Sequence, residues 1–278
     1  MKWLQFILSH SIFISLCAVA LCVQSFILLH LPVLPVLCAF VFFATLASYN
    51  FYWLAGKFAF SRKKNISGFL KVNVSYLAIL LLSGITLLFL LPQLPQAWLL
   101  VVVAGICTIL YSMPLWNPLA ARVARRTGFL KTILLSFTWA LVTAWLPAYA
   151  GGYPSGGYAL LLLLFTARFF FMLMLCLIFD MRDIHVDKLH ALHSLATDLG
   201  RADLQRIMVI SFLLYMLAGF SLRFIQEDNL QLVAHVFTGV ITWVVYRLSR
   251  KKREYVFYYF LVDGLMLISA FGTILAAI

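Results

Sequence analysis

The sequence predicts an all-α integral membrane protein, a bundle of nine transmembrane helices. Three observations carry that reading. Of the 278 residues, 64% are hydrophobic and only 11% charged, and the mean hydropathy is +1.02; a soluble domain of this size cannot cover itself with so few polar groups. No Lys, Arg, Asp or Glu occurs between Lys2 and Lys57, between Lys71 and Arg122, or between Lys131 and Arg168. Each gap exceeds the ~20 residues a helix needs to cross a bilayer. The basic residues cluster in alternate segments between the apolar runs, as expected where positive charge is retained on one side of a membrane.

The spans follow in order, with ends soft by a few residues. The first, roughly 7–29, follows Lys2 and lacks a small-residue cleavage site, so it is read as a retained span. The second, roughly 34–55, starts at the Pro32 and Pro35 punctuation and stops before Lys57. The third, roughly 69–91, is closed by Pro92, and the fourth, roughly 96–113, opens after Pro95. The fifth, roughly 129–149, ends at the turn-forming run Gly151-Gly152-Tyr153-Pro154-Ser155-Gly156-Gly157. The sixth, roughly 157–179, is the apolar run leading into an acidic motif, and the last three cover roughly 206–224, 229–246 and 255–277. Unbroken runs of this length exclude an alternating membrane barrel. Without repeats or low-complexity linkers, residues 1–278 read as one membrane domain.

Charge orients the bundle. Lys57, Arg62, Lys63, Lys64 and Lys71 lie between spans two and three; Arg122, Arg125, Arg126 and Lys131 between four and five; Arg247 and Arg250-Lys251-Lys252-Arg253 between eight and nine. A cytoplasmic N-terminus and an outer C-terminus satisfy all of these segments. The net charge of +12 is therefore topogenic, not a nucleic-acid footprint. Cys17, Cys22, Cys38, Cys107 and Cys176 fall inside apolar runs without ligand spacing and read as small buried hydrophobes.

Chemistry concentrates in Asp180-Met181-Arg182-Asp183-Ile184-His185-Val186-Asp187. Spacings of three and four put Asp180, Asp183 and Asp187 on one helix face. Crowded carboxylates repel unless a cation joins them, and a hard ion such as Mg²⁺, shared with water and phosphate oxygens, meets that need. The competing reading is a solvated helix end, partly neutralised by Arg182 and Lys188.

Asp180-x-x-Asp183-x-x-x-Asp187, followed by Ser194-Leu195 and Leu199-Gly200, resembles the second aspartate motif of the UbiA prenyltransferase superfamily. The first motif of that family has a degenerate counterpart in Tyr49-Asn50-Phe51-Tyr52-Trp53-Leu54-Ala55-Gly56-Lys57-Phe58. There Asn50 matches the family Asn, and Phe51, Leu54 and Phe58 stand where aspartates are usual. Lys63-Lys64-Asn65-Ile66-Ser67-Gly68, Arg125-Arg126 and Lys131 resemble the family's basic segments. The resemblance implies a nine-helix bundle in the inner membrane with a cytoplasmic active face. It implies a polyprenyl diphosphate donor, a lipid-soluble and aromatic acceptor, and Mg²⁺ as cofactor. Asp180, Asp183 and Asp187 would hold the metal, and Asn50, Lys63, Arg126 and Lys131 the diphosphate. Loss of the first-motif acids leaves a second reading: a catalytically silent homologue that binds isoprenoids or serves a membrane complex. Arg168 and Asp263 fall inside spans, and an intramembrane ion needs a partner; the two are expected to pair.

Overall fold

The computed structural model describes the backbone of residues 2–59, 66–112, 128–152, 157–189 and 195–278, and side chains over 3–58, 68–111, 130–152, 157–184 and 196–278. Among these residues there are helices and turns and no strand. The helices are α1 (Lys2–Ser9), α2 (Ile12–Leu28), α3 (Pro35–Ala59), α4 (Ile66–Val72), α5 (Val74–Leu90), α6 (Trp98–Ser112), α7 (Gly128–Ala140), α8 (Leu146–Gly151), α9 (Gly157–Leu189), α10 (Leu195–Asp198), α11 (Arg201–Gln226), α12 (Asn229–Ser249) and α13 (Asp263–Ala276). Among the described residues seven stretches are long and apolar enough to span a bilayer, and an eighth if α1 and α2 count as one bent span. The chain is a multi-pass membrane protein. The expected fourth span corresponds to a shorter apolar helix, Pro95–Tyr111.

Local chemistry explains the departures from straight rods. α1 and α2 meet at 67° because Ser11 takes a left-handed backbone conformation, φ 62°, which breaks the hydrogen-bond ladder. A π-helical turn, Leu141–Trp145, joins α7 to α8 just before Pro147. Proline has no N–H to give the carbonyl four residues back. That carbonyl, on Thr143, accepts instead from the Ser25 hydroxyl of α2. A second π segment, Phe257–Val262, leads into α13.

α9 is the central post. Residues 171–178 are all buried, and α9 packs against α11 and α7, while α2 packs against α3 and α13. An all-round apolar helix is stable only inside a bundle or bilayer. α5 shows the opposite: Leu81, Leu82, Ile85, Leu88 and Phe89 are exposed and only Ser83 is buried, as befits a lipid-facing helix. α11 and α12 approach closely at Gly219, where an added Cβ would collide with the His235 ring. There Tyr215 and His235 stack 3.9 Å apart and each bonds the other's carbonyl, at 3.2 and 2.9 Å. Asp228 starts α12 by accepting from the amides of Leu230 and Gln231, at 2.8 and 3.0 Å.

The elements sort by bundle end. Gln5, Lys57, Tyr76 and Tyr255 share one end, and the aspartate motif reaches it through Tyr259. Leu28, Arg223, Asp228 and Thr273 share a small polar cavity elsewhere in the bundle.

Candidate functional site at the end of α9

α9 brings Asp180 and Asp183 to the edge of the core, one turn apart. Asp180 Oδ2 accepts from the Thr132 hydroxyl of α7 at 2.6 Å, a short charge-assisted bond. Asp183 is gripped by its neighbour: Arg182 Nε donates to Oδ1 and Nη2 to Oδ2, both at 2.7 Å. Consecutive helical residues do not face each other, so this fork forms only because the guanidinium curls back. Aromatic faces draw it in. Its central carbon lies 4.9 Å from the Phe179 ring centre and 5.3 and 4.8 Å from those of Tyr258 and Tyr259, distances at which a ring face attracts a cation. The π segment positions the two tyrosines. Arg182 Nη1 is buried and makes no hydrogen bond.

Aromatic rings continue the wall. Tyr52 of α3 stacks on Tyr111 of α6 at 5.3 Å, and Lys131 Nζ lies 5.3 Å from the Tyr111 ring. Trp53 lies 6.4 Å from Tyr259. It also lines an open groove of about 590 Å³ with Phe6, Ser9, Lys57, Tyr76 and Tyr255. Lys57 Nζ sits 3.9 Å over Tyr76 and 3.4 Å from Asn73 Oδ1.

The residues expected from sequence divide into four groups. Asp180, Asp183 and Lys131 fall on the α9 and α7 walls of this region. Asn50 is fully buried, and its Nδ2 donates to the carbonyls of His10 at 2.9 Å and Leu46 at 2.7 Å. It thereby ties α3 to the bend before α2, and its Oδ1 is a buried acceptor without a hydrogen bond. Lys63, Arg126 and the side chain of Asp187 lie outside the described residues. The expected ion pair is not formed. Arg168 Nη2 donates to Leu21 O at 3.3 Å and Ser25 Oγ at 3.2 Å on α2, with Nη1 unbonded. Arg168 sits within the middle of α9 against α2, whereas Asp263 opens α13 at the aspartate-motif end. Sequence reasoning missed Thr132, Tyr258 and Tyr259. Thr132 follows Lys131 at the start of a span, and the tyrosines sit in Phe257-Tyr258-Tyr259-Phe260, but hydropathy assigns no face to either.

Among the described residues no group of three or more Asp, Glu, His or Cys is placed to hold a metal ion. Both Asp183 oxygens are engaged by Arg182, and of the first-motif positions Leu54 is buried carbon while Phe51 and Phe58 are exposed rings. These donors do not fit a two-ion centre.

The UbiA prenyltransferase family matches residues 61–269. The chain belongs to that family. The apo structure of a UbiA homolog from Aeropyrum pernix K1 aligns with a TM-score of 0.67 at 14% identity, over 94% of this chain and 97% of that one. A digeranylgeranylglyceryl phosphate synthase, described in membranes, aligns with a TM-score of 0.56 at 15% identity, over 100% of this chain and 99% of that one. At such identities the likeness shows the UbiA-like fold alone. No curated protein matches.

Proposed function

We propose that this UbiA-family protein is a membrane prenyltransferase that binds a polyprenyl diphosphate at the end of α9 and transfers the prenyl group to a lipid-soluble aromatic acceptor. The observation that carries this reading is the junction of Asp180, Asp183 and Arg182 with an aromatic wall, inside the residues the family matches. A diphosphate needs fixed positive charge, and a departing allylic chain needs apolar and aromatic surroundings. Lys131 supplies charge on α7, and Lys63 and Arg126 are its expected companions. The 590 Å³ groove offers aromatic lodging for the acceptor or the chain.

In this reading the carbon–oxygen bond to the diphosphate breaks and the diphosphate takes the electron pair; the acceptor ring then attacks the cation, and the attacked ring carbon loses its proton to the released diphosphate or to water, which restores aromaticity. Thr132 holds Asp180 in one orientation, and Tyr52, Tyr111 and Trp53 exclude water from the reacting carbon. Prenyltransferases of this family generally use Mg²⁺, which supplies positive charge to the leaving oxygens. One ion, shared with phosphate oxygens, is the most that Asp180, Asp183 and Asp187 would hold here. Nine spans, with the N-terminus and the α9 motif on the cytoplasmic side of the inner membrane and the C-terminus outside, complete the proposal. The chain then forms one membrane domain over 1–278.

A second reading is favoured by the Arg182–Asp183 fork and by Phe51, Leu54 and Phe58: an isoprenoid-binding relative without turnover. Purified protein with labelled farnesyl diphosphate, with and without Mg²⁺, separates the two. Binding followed by prenylation of a hydroxylated aromatic acceptor is expected of the enzyme. Binding without product against a panel of such acceptors supports the silent relative. No preference for farnesyl diphosphate over farnesol refutes the diphosphate-donor reading. Asp180→Asn, Asp183→Asn and Asp187→Asn should each lower Mg²⁺-dependent binding of farnesyl diphosphate and leave farnesol binding unchanged.

A further inference from the structure

Among the described residues the site lacks the acids for a second metal ion, and it contains a cation of its own. We infer that Arg182 is the resident counter-charge of the site: its guanidinium takes the diphosphate directly, exchanging Asp183 for phosphate oxygens, in place of a second metal ion. This rests on the prenyl-diphosphate reading above.

Four observations support it. The first-motif positions Phe51, Leu54 and Phe58 offer no carboxylate, so the charge a second ion would bring is missing. Arg182 lies inside the surviving motif, between Asp180 and Asp183. Three rings stabilise its charge without neutralising it. Its planar fork already binds a carboxylate in two-pronged fashion at 2.7 and 2.7 Å, and the same fork matches two phosphate oxygens.

An ordinary structural salt bridge accounts for less. A part-buried pair between adjacent residues explains the fork but not why the only cation within the motif is held charged among three rings beside it. The Arg182 and Asp183 side chains retain 23% and 38% exposure, so a ligand can reach the fork. Exchange has a further effect. Once phosphate takes the fork, both Asp183 oxygens are released, and Asp183 with Asp180 would then be free to hold one Mg²⁺ supplying charge to the diphosphate.

The test measures farnesyl diphosphate binding to the detergent-purified full chain, in EDTA and in Mg²⁺, with farnesol as the uncharged control. The wild-type protein should retain a metal-independent preference for farnesyl diphosphate over farnesol. Arg182→Gln should weaken that EDTA-resistant binding about tenfold or more, the size of losing a charge-assisted fork. Arg182→Lys, which keeps the charge without the fork, should fall between. Asp183→Asn gives the opposite sign: freeing the guanidinium should strengthen binding in EDTA while reducing the increment that Mg²⁺ adds. Unchanged EDTA-resistant binding in Arg182→Gln, or weaker EDTA-resistant binding in Asp183→Asn, overturns the role of Arg182. The wild-type preference for farnesyl diphosphate in Mg²⁺ then still stands for the donor reading. A wild-type protein that prefers farnesol, or neither ligand, in both conditions removes the donor reading itself. Should Arg182→Gln fail to fold, Asp183→Asn alone decides by its sign.

Discussion

Replacing Arg168 by methionine tests how a buried charge is tolerated in the middle of α9. Two donors from Nη2 reach Leu21 O at 3.3 Å and Ser25 Oγ at 3.2 Å. At these lengths each contributes about 1.5 kcal/mol, the low end for hydrogen bonds from a charged group. Placing arginine at mid-membrane costs about 2.5–3.5 kcal/mol on insertion scales. The two sums nearly cancel. Neither acceptor is stranded without Arg168: Leu21 O lies within α2, and Ser25 keeps its single hydroxyl proton shared between Leu21 O at 3.1 Å and Thr143 O. Methionine fills similar length with flexible apolar atoms. Arg168→Met should therefore change the unfolding free energy by no more than about 1 kcal/mol in either direction, given these opposing terms. Equilibrium unfolding in mixed micelles of dodecyl maltoside and SDS measures it. An Arg168–Asp263 ion pair would give a different result: stranding Asp263 would cost about 3–5 kcal/mol. A loss of that size in Arg168→Met, recovered when Asp263→Leu is added, would refute the placement of Arg168 on α2.

Other outcomes follow from single contacts. Gly219→Ala should destabilise the α11–α12 pair by about 1–3 kcal/mol, since its methyl group meets the His235 ring; the same micelle unfolding reads it, and a neutral result would contradict the close approach. Asp228→Ala should cost about 1 kcal/mol through two lost cap bonds, while Asp228→Asn should cost less, measured in the same way. Thr132→Val removes the donor at 2.6 Å from Asp180 and should weaken Mg²⁺-dependent farnesyl diphosphate binding without altering farnesol binding. Reporter fusions after Lys252 should report cytoplasm and fusions near Gln93 the outer side; the reverse would overturn the proposed orientation.

Hydropathy and charge carried the reading far, because membrane spanning is a one-dimensional constraint. Apolar length and loop charge are read along the chain, and so is a carboxylate motif with helical spacing. What escaped depends on which face a residue presents. Asn50 was read toward phosphate, yet its amide holds the carbonyls of His10 and Leu46. Arg168 and Asp263 were matched as the nearest opposite charges by height, without knowledge of which helices are neighbours. Ser11 breaks the first span with no glycine or proline to announce it. The curl of Arg182 onto Asp183 runs against the helical spacing rule, so the motif's own geometry hid it.

The bonds of Arg168 also bear on the order in which the chain enters the membrane. Helices insert in sequence as they are made, and α9 arrives before α11, α12 and α13 exist. A guanidinium waiting for Asp263 would have to remain unpaired in lipid until the last helix was synthesised. Its actual partners, Leu21 and Ser25, belong to α2, which is already in place. Ser25 also clasps the carbonyl that Pro147 leaves free on the α7–α8 segment. The costliest residue of the central helix thus finds its acceptors on an earlier helix, and the first two-thirds of the chain can assemble around α2 before the remainder is translated.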